Sequence, residues 1–367
     1  MNVLSLFDGM SCGQIALERA NIKIDNYYAS EIDKYAIKIT QKNYPNTIQL
    51  GDINNWKEWN LSRIDLLVGG SPCQGFSIAG QGLNFDDPRS KLFFEYVDIL
   101  NYYKPKYFLL ENVKMKKEWQ NIITEYLGVE AILINSALVS AQSRKRLYWT
   151  NIGNIQQPED KNIYLKDIIE TGDVDRDKSY CIDANYWKGG NLKRYYDKSS
   201  RQLIIEKPHQ SSKRLMVKIG NIYPGEGQNG NIYSTEGKSP SLSAGIGITG
   251  KGIGSSNAPK INKLNSIQIG SLYENNAQAG RIYSTEGKSV TLKGEAGGLG
   301  AKTGLYSNDM ITWRKLTPLE CERLQTVPEN YTEGVSNTQR YKMLGNGWTI
   351  DVIAHIFNYL PLEYKND

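Results

Sequence analysis

A cysteine and a glutamate follow two predicted strands and could act together on one ligand. Cys73 lies in the segment GGSPCQGFS, residues 69 to 77. A lone cysteine is usually an inert small hydrophobe, but the flanking glycines and proline favour an exposed, held thiol. Glu111 directly follows the strand predicted over Tyr107 to Leu110. Because parallel strands end at one edge of a sheet, where ligands bind, we expect the nucleophilic sulfur and the carboxyl to converge there.

A second group of residues is typical of a nucleotide site. The first predicted strand runs into FDGMSCG, residues 7 to 13, and a glycine turn there lets a nucleotide-like ligand approach the backbone. Glu31 and Asp52 follow later strands, where Glu31 suits a ribose diol and Asp52 an adenine amine. Taken alone, the pattern fits equally well an α/β domain with incidental surface carboxylates.

A basic segment, QSRKR, follows the last strand predicted in this part of the chain. Its Arg144 and Arg146 point to one side if the segment is extended. By itself such a cluster is typical of solvated surface.

The elements that must position these residues are those of an α/β fold. Apolar runs alternate with amphipathic stretches over the first 150 residues, which predicts βαβ units and a mostly parallel sheet. The predicted strands are Asn2 to Phe7, Asn26 to Ser30, Ile64 to Val68, Tyr107 to Leu110 and Ala131 to Val139. Thr317, Pro318 and Glu320 form a capping box that opens a helix through Gln325. A last amphipathic helix carries Val352 to Leu360.

Composition changes in the middle of the chain. The 367 residues carry a formal charge of +5, and residues 151 to 312 hold 21 Lys and Arg against 16 Asp and Glu, with 22 of the 34 glycines. The octapeptide IYSTEGKS occurs at 232–239 and again at 282–289. Two copies predict a duplicated β element inside one small domain, either purely structural or in contact with substrate. We expect a catalytic domain over 1–150, a second domain over 151–312, and a return to the first over 313–367.

The cysteine and histidine content and the hydropathy exclude several classes of protein. The four cysteines form no CxxC pair and there are only two histidines, which argues against zinc sites and histidine-based hydrolases. No apolar run approaches the ~18 residues of a membrane span, and the chain does not begin like a secretory signal. We therefore expect a cytoplasmic protein that uses no metal.

Together, these motifs resemble the DNA (cytosine-5) methyltransferase family. FDGMSCG is similar to its cofactor-binding first motif, SPCQGFS to its catalytic loop, ENV to its second catalytic strand and QSRKR to its QxRxR. The segment from Arg314 to Gln325 fits RxLTxxExxRLQ, and GNGW at 345–348 fits the final GN motif. Two residues depart from the pattern: Ser11 stands at a common glycine position, and Trp348 is bulkier than usual.

The resemblance implies a fold and a cofactor. The fold is the Rossmann-like, mostly parallel sheet of S-adenosyl-L-methionine-dependent methyltransferases, with a smaller β-rich target recognition domain over 151–312. The cofactor is S-adenosyl-L-methionine. Its predicted contacts are Phe7, Asp8, Gly9, Glu31, Ile32, Asp52, Ile53, Pro72, Asn346, Gly347 and Trp348.

The resemblance also implies a reaction. Cys73 would add to C6 of a cytosine flipped out of duplex DNA, Glu111 would hold or protonate N3, and Arg144 would bond O2, with Arg146 in the same catalytic set. A carboxyl kept protonated by burial would suit the N3 contact. Arginines near Arg144 and the basic middle region would bind phosphates.

Three alternatives remain open at this point. The substrate could be tRNA, as in one branch of the family, or the chain could be a catalytically silent DNA-binding regulator. The third alternative is an enzyme that methylates an amino group of adenine or cytosine. It is disfavoured, because such enzymes have a D/N/S-P-P-aromatic loop where this chain has SPCQ. We expect a monomer, a stand-alone microbial or viral enzyme, whose candidate partners are double-stranded DNA and a cognate restriction endonuclease. The sequence does not specify the DNA site.

Overall fold

A seven-stranded, mostly parallel sheet organises the first 150 residues. The computed structural model describes residues 1–71, 88–189, 195, 200–206, 218–221, 231–233, 268–271, 281–284, 305–307 and 312–366. The strands of the sheet are β1 Asn2–Leu6, β2 Asn26–Ser30, β3 Ile48–Gln49, β4 Leu66–Gly69, β5 Tyr107–Val113, β6 Ile132–Asn135 and β7 Lys145–Thr150. Their order is β3-β2-β1-β4-β5-β7-β6. Strands β1 to β5 are parallel, and β7 is antiparallel to both neighbours.

Helices connect the strands and complete the chain. They are α1 Cys12–Arg19, α2 Lys34–Asn43, α3 Pro88–Tyr103, α4 Lys117–Leu127, α5 Leu165–Ile168, α6 Pro318–Leu324, α7 Asn337–Asn346 and α8 Ile350–Phe357. The carboxyl-terminal α8 packs against α1, so the last part of the chain returns to the first. In the described part of the chain no helix has the length and apolarity needed to cross a membrane.

The strands form because their apolar runs are buried on both faces of the sheet, as parallel sheets require. All four residues of β4 are buried, and so are four of the five in β1. Leu4, Leu67, Phe93 and Trp149 belong to the main core cluster. The strand order reverses between β1 and β4, which are hydrogen-bonded neighbours, so the ligand crevice of such a sheet lies beyond their carboxyl ends.

Local signals in the sequence predict several elements correctly. Strand β2 has the predicted bounds. Thr317 caps α6 with its side chain on the backbone N–H of Glu320, whose own side chain caps Thr317 in return. This reciprocal capping box confirms the predicted helix start.

Two strand predictions need correction. The strand predicted to reach Val139 ends at Asn135, because the Asn135 side chain accepts a hydrogen bond from the backbone N–H of Ala137 and starts a 3-10 turn. Strand β5 runs on to Val113, so Glu111 lies inside the strand and not after it. Residues Lys145–Thr150 form a strand, β7, that the sequence did not predict.

The chain divides into two compact units. The first comprises Met1–Gly190, Ser199–Leu203 and Lys315–Asp367, and the second comprises Asn191–Lys198 and Ile204–Arg314. The remaining strands are β8 Leu203–Glu206, β9 Lys218–Asn221, β10 Asn231–Tyr233, β11 Gln268–Ser271, β12 Arg281–Ser284, β13 Leu305–Ser307 and β14 Thr312–Lys315. The target recognition role and the exact boundaries stay predictions.

The repeated sequence forms the same pair of strands twice. Strands β9 and β10 are antiparallel with Gly220 opposite Ile232, and β11 and β12 are antiparallel with Gly270 opposite Ile282. Both partners are displaced by 50 residues between the copies, and both pairs contain a register irregularity. The duplication in sequence is therefore a duplication of β structure.

Candidate active site at the carboxyl edge of the sheet

Glu111 is the central charged group of this edge. It lies in β5 and is 8% exposed. Its Oε1 accepts an ion-paired hydrogen bond from Arg146 Nε at 2.9 Å, and its Oε2 accepts one from the indole Nε1 of Trp348 at 3.1 Å. Both carboxylate oxygens therefore take a donor. Arg146 and Trp348 are thus the partners of Glu111 in the structure, and its protonation of a base stays a prediction.

The antiparallel pairing of β5 and β7 brings Arg146 to Glu111. Glu111 stands opposite Tyr148, and Val113 stands opposite Arg146, so the two charged side chains share a face as diagonal neighbours. The pKa of Arg146 is raised above its ordinary value: burial lowers it, but the nearby Glu111 charge and other groups more than offset that effect.

Arg144 points elsewhere. It is 4% exposed, and its Nη1 donates to the carbonyl of Ile182 at 3.0 Å and to Cys181 Sγ at 3.3 Å. Its Nη2 donates to the carbonyls of Gly345 and Gly347 at 3.2 and 3.0 Å. Four acceptors thus occupy the guanidinium group and join the start of β7 to the GN segment. Contact between Arg144 and a base stays a prediction.

Ser71, two residues before the predicted nucleophile in the sequence, is a fixed point of this edge. Ser71, 5% exposed, follows β4, and Asn112 Nδ2 donates to its hydroxyl at 3.2 Å and to its carbonyl at 3.4 Å. Cys73 and Pro72 fall outside the described residues. The polar Asn112 near the end of the mostly apolar run of β5 was the available signal for this tie, and the sequence analysis missed it.

The predicted cofactor residues lie along β1, β2 and β3. Glu31 Oε2 accepts from the backbone N–H of Gly9 at 2.8 Å, and Glu31 Oε1 accepts from those of Ile32 and Asp33, each at 2.8 Å. Gly9 has φ +60°, and a Cβ there would meet nothing within 4 Å, so the turn leaves open space beside the strand ends. The Ile32 side chain is 74% exposed next to that carboxylate.

Asp8 stands behind this turn and is buried. Its Oδ1 accepts from the Tyr27 hydroxyl at 2.8 Å, and its Oδ2 accepts from the Ser11 hydroxyl. Burial is the main cause that raises its pKa to about 6, with a smaller contribution from the charge of Glu31, whereas its hydrogen bonds act in the opposite direction. Asp8 is therefore placed to hold the turn together.

The other predicted cofactor residues are divided between this edge and the core. Asp52 Oδ1 caps the 3-10 helix Ile53–Glu58 by accepting from Asn54 N at 2.9 Å. Ile53 is 4% exposed in the core, and Phe7, at φ 56°, packs against that core as a partly buried residue. Of these three residues only Asp52 is exposed.

The GN segment closes the same side of the site. A Cβ at Gly347 would lie 3.1 Å from Met10 Cε and 3.2 Å from Cys12 Sγ, so a side chain at this position would crowd the first turn. Asn346 ends α7 and is exposed. Tyr331, which the sequence analysis missed, donates its hydroxyl to the carbonyl of Met10 at 2.7 Å.

Neither a metal cluster nor a second reactive thiol is evident in the described residues. No group of three His, Cys, Asp or Glu side chains there could hold a metal ion. Cys12 and Cys321 are buried, and burial raises the pKa of the Cys12 thiol to about 12, which disfavours its nucleophilic form. Cys181 is half-buried beside Arg144 and Arg146.

Comparison with known proteins identifies the family to which the chain is similar. The family of C-5 cytosine-specific DNA methylases matches residues 1–361. The orphan methyltransferase M.SPRI of Bacillus phage SPR is 30% identical, with all of this chain and 98% of that protein aligned. The type II methyltransferase M.HhaI of Haemophilus parahaemolyticus is 28% identical over 97% of this chain and 93% of its own.

Solved structures agree at the level of the fold. The Entamoeba histolytica methyltransferase EhMeth superposes with a TM-score of 0.55 at 18% identity, covering 98% of this chain and 97% of that one. DNMT2 of Spodoptera frugiperda superposes with a TM-score of 0.54 at 18% identity, covering 98% of this chain and 99% of that one. With a matching family over nearly its whole length and relatives aligned from end to end, the chain belongs to the C-5 cytosine-specific DNA methylases.

Proposed function

We propose that this chain transfers a methyl group from S-adenosyl-L-methionine to C5 of a cytosine flipped out of duplex DNA, through a covalent bond between Cys73 and C6. One observation carries the proposal. Glu111 is fixed at the carboxyl edge of the sheet by Arg146 and Trp348, while its neighbour Asn112 fixes Ser71, two residues before Cys73 in the sequence.

The residues at the β1 and β2 ends fit the proposed cofactor. Glu31 accepts three backbone N–H groups, which leaves its carboxylate one further acceptor site for a ribose hydroxyl. The exposed Ile32 offers an apolar surface for a flat ring, and the open Gly9 turn gives room for close approach. Bound there, S-adenosyl-L-methionine supplies the electrophilic methyl group that C5 acquires.

The protein's part of the chemistry begins with the thiol. The Cys73 thiolate forms a bond to C6, and the electron pair of the C5–C6 double bond moves to C5, which makes C5 nucleophilic. Once C5 is methylated, loss of its proton to a base such as water and cleavage of the sulfur–C6 bond restore the aromatic ring. Cys73 leaves as thiolate, so it is regenerated in each cycle.

Glu111 and Arg146 would stabilise the ring during thiol addition. Negative charge builds on the pyrimidine as sulfur adds, and Glu111 would deliver a proton at N3 that it acquires as the base enters. Arg146, ion-paired 2.9 Å from that carboxylate, supplies the compensating positive charge. We propose this role for Arg146 in preference to Arg144, because the carbonyls of Ile182, Gly345 and Gly347 already occupy the Arg144 guanidinium.

A basic strip beside Glu111 supports a nucleic-acid substrate. Lys114, Lys116 and Lys117 follow the end of β5, and Lys145 begins β7; all four are exposed. Val113 and Arg146 form the last pair of β5 and β7, so Lys114 follows that pair by one residue and Lys145 precedes it by one. Like charges at such positions repel, and a phosphate backbone would relieve that repulsion. The basic 151–312 region would add the sequence-reading contacts.

Bisulfite sequencing of DNA from cells that express the protein tests the proposal. We expect 5-methylcytosine in one sequence context with the wild-type chain and none with Cys73→Ser. The Cys73→Ser protein should still bind duplex DNA, which shows that it is folded. A parallel assay on purified protein with tRNA and duplex DNA decides between the two polymers; methylation of tRNA alone would overturn the proposed substrate. Failure of the wild-type protein to bind S-adenosyl-L-methionine would favour the catalytically silent alternative.

The covalent step has a separate test. DNA carrying 5-fluorocytosine at the target should trap the enzyme, because fluorine at C5 cannot leave as a proton does. Digestion of the adduct should yield a labelled peptide that contains Cys73. A label on Cys181, the half-buried thiol beside the arginines, would show that the nucleophile is wrongly assigned.

A further inference from the structure

We propose that Trp348 is a positioning residue for Glu111: its indole N–H fixes the carboxylate before the target base enters. This inference rests on the function proposed above. Trp348 Nε1 lies 3.1 Å from Glu111 Oε2, although the two residues are 237 positions apart in sequence. The sequence marks Trp348 only as an unusually bulky residue after the GN pair.

The indole supplies what Arg146 alone does not. Arg146 Nε holds Oε1 at 2.9 Å, which leaves the carboxylate free to rotate about its last bond. A second donor on Oε2 fixes the plane of the group as well as its place. Catalysis gains from such fixing, since small misplacements of a reacting group lower rates steeply.

The surrounding backbone is shaped to keep the indole in this position. A Cβ added at Gly70 would lie 3.0 Å from Trp348 Nε1 and 3.1 Å from Glu111 Oε2, so a side chain there would crowd both partners of this hydrogen bond. On the far side of the ring, a Cβ at Gly13 would lie 3.7 Å from Cζ3 of Trp348. The ring therefore spans from the first glycine turn to the catalytic carboxylate.

Trp348 thereby connects the two halves of the proposed reaction. Its backbone belongs to the GN segment, which packs against Met10 and Cys12 of the first turn. Its side chain ends on Glu111, on the side of the base. Glu31, by contrast, lies with the turn, and Arg146 lies with Glu111.

The first test removes the indole donor and keeps an aromatic ring. With duplex DNA and S-adenosyl-L-methionine both saturating, we expect Trp348→Phe to lower kcat about 10-fold or more, while KM for DNA stays within about twofold of wild type. The matched control is Trp56→Phe, which removes an indole N–H from another glutamate, Glu95, at 2.8 Å. Trp56→Phe should keep the wild-type kcat.

A second variant leaves both partners intact. Gly70→Ala introduces a methyl group that crowds both Trp348 Nε1 and Glu111 Oε2, and we expect the displaced hydrogen bond to give the same fall in kcat at an unchanged KM. Gly153→Ala is its control, because a Cβ at Gly153 meets nothing within 4 Å. If Trp348→Phe does not fold, Gly70→Ala decides the question.

The outcomes separate this inference from the function on which it rests. A wild-type protein that methylates no cytosine refutes the proposed function. If the wild-type protein is active and both Trp348→Phe and Gly70→Ala keep its full kcat, only the positioning role is overturned. A rise in KM at unchanged kcat would also overturn it, because the indole would then serve binding and not the orientation of Glu111.

Discussion

The buried carboxyl of Asp8 should make the stability of the protein depend on pH in a defined direction. Burial raises its pKa from the ordinary 3.8 to about 6 in the folded chain. As pH rises, the unfolded chain loses this proton first, and the folded chain holds it until pH passes about 6. The proton's stabilisation is therefore fully present below pH 4 and is lost as pH rises through 6.

The magnitude follows from the two pKa values. A tenfold difference in proton affinity is worth about 1.4 kcal/mol, so the full effect is about 3 kcal/mol. Between pH 5 and pH 7, where most carboxyl groups no longer titrate, about 1 kcal/mol of it should disappear. Asp8→Asn keeps the side chain's shape and cannot ionise, so it should lack this loss.

Urea unfolding of wild type and Asp8→Asn at pH 5 and pH 7 measures the effect. The free energy of unfolding of wild type, relative to the variant, should fall by about 1 kcal/mol between the two pH values. Asp25→Asn is the control: the amino terminus, 2.5 Å away, lowers the pKa of Asp25, so its titration lies below this range. If the free energy of unfolding of wild type, relative to Asp8→Asn, is the same at both pH values or is larger at pH 7, the raised pKa of Asp8 is refuted.

Two further predictions concern a buried ion pair and the basic strip. Arg340→Met should lower the free energy of unfolding by about 3 kcal/mol in urea titrations, because it removes the charged partner, 3.0 Å away, of the fully buried Glu322 carboxylate. Arg323→Met, which breaks a pair whose side chains are 28% and 56% exposed, should lose less than about 1 kcal/mol. Replacing Lys116 and Lys117 by alanine should weaken binding to duplex DNA and reduce the slope of log affinity against log salt by about 2, and an unchanged slope would remove these lysines from the interface.

Local signals made part of the fold predictable. The short β-prone run of β2, centred on Tyr27 and Tyr28, and the reciprocal capping of Thr317 and Glu320 each act within a few residues, and both appear in the structure as expected. The prediction that the strand continues beyond Asn135 was wrong for an equally local reason, since an asparagine side chain can compete with a strand for backbone N–H groups. The hydrophobic periodicity of the sequence alone does not reveal that competition.

The contacts inside the candidate site could not be predicted in the same way. That Arg146, rather than Arg144, meets Glu111 depends on the register of β5 against β7, and the sequence did not predict β7 as a strand. The two arginines are two residues apart and chemically alike, so their different surroundings arise only from tertiary packing. Arg144 contacts carbonyls at positions 182, 345 and 347, which are distant in sequence.

The two departures from the family pattern have related effects. Ser11 adopts φ 60°, a conformation that costs a non-glycine residue about 1 kcal/mol, yet its hydroxyl donates to the buried Asp8. Trp348 takes more space than the usual residue, yet its indole donates to Glu111. Glycine at position 11 would avoid the strain but would leave Asp8 one donor short. Each departure therefore adds a donor to a buried carboxyl, Asp8 behind the first glycine turn and Glu111 in β5, so these positions have to be judged together with the acids to which they donate.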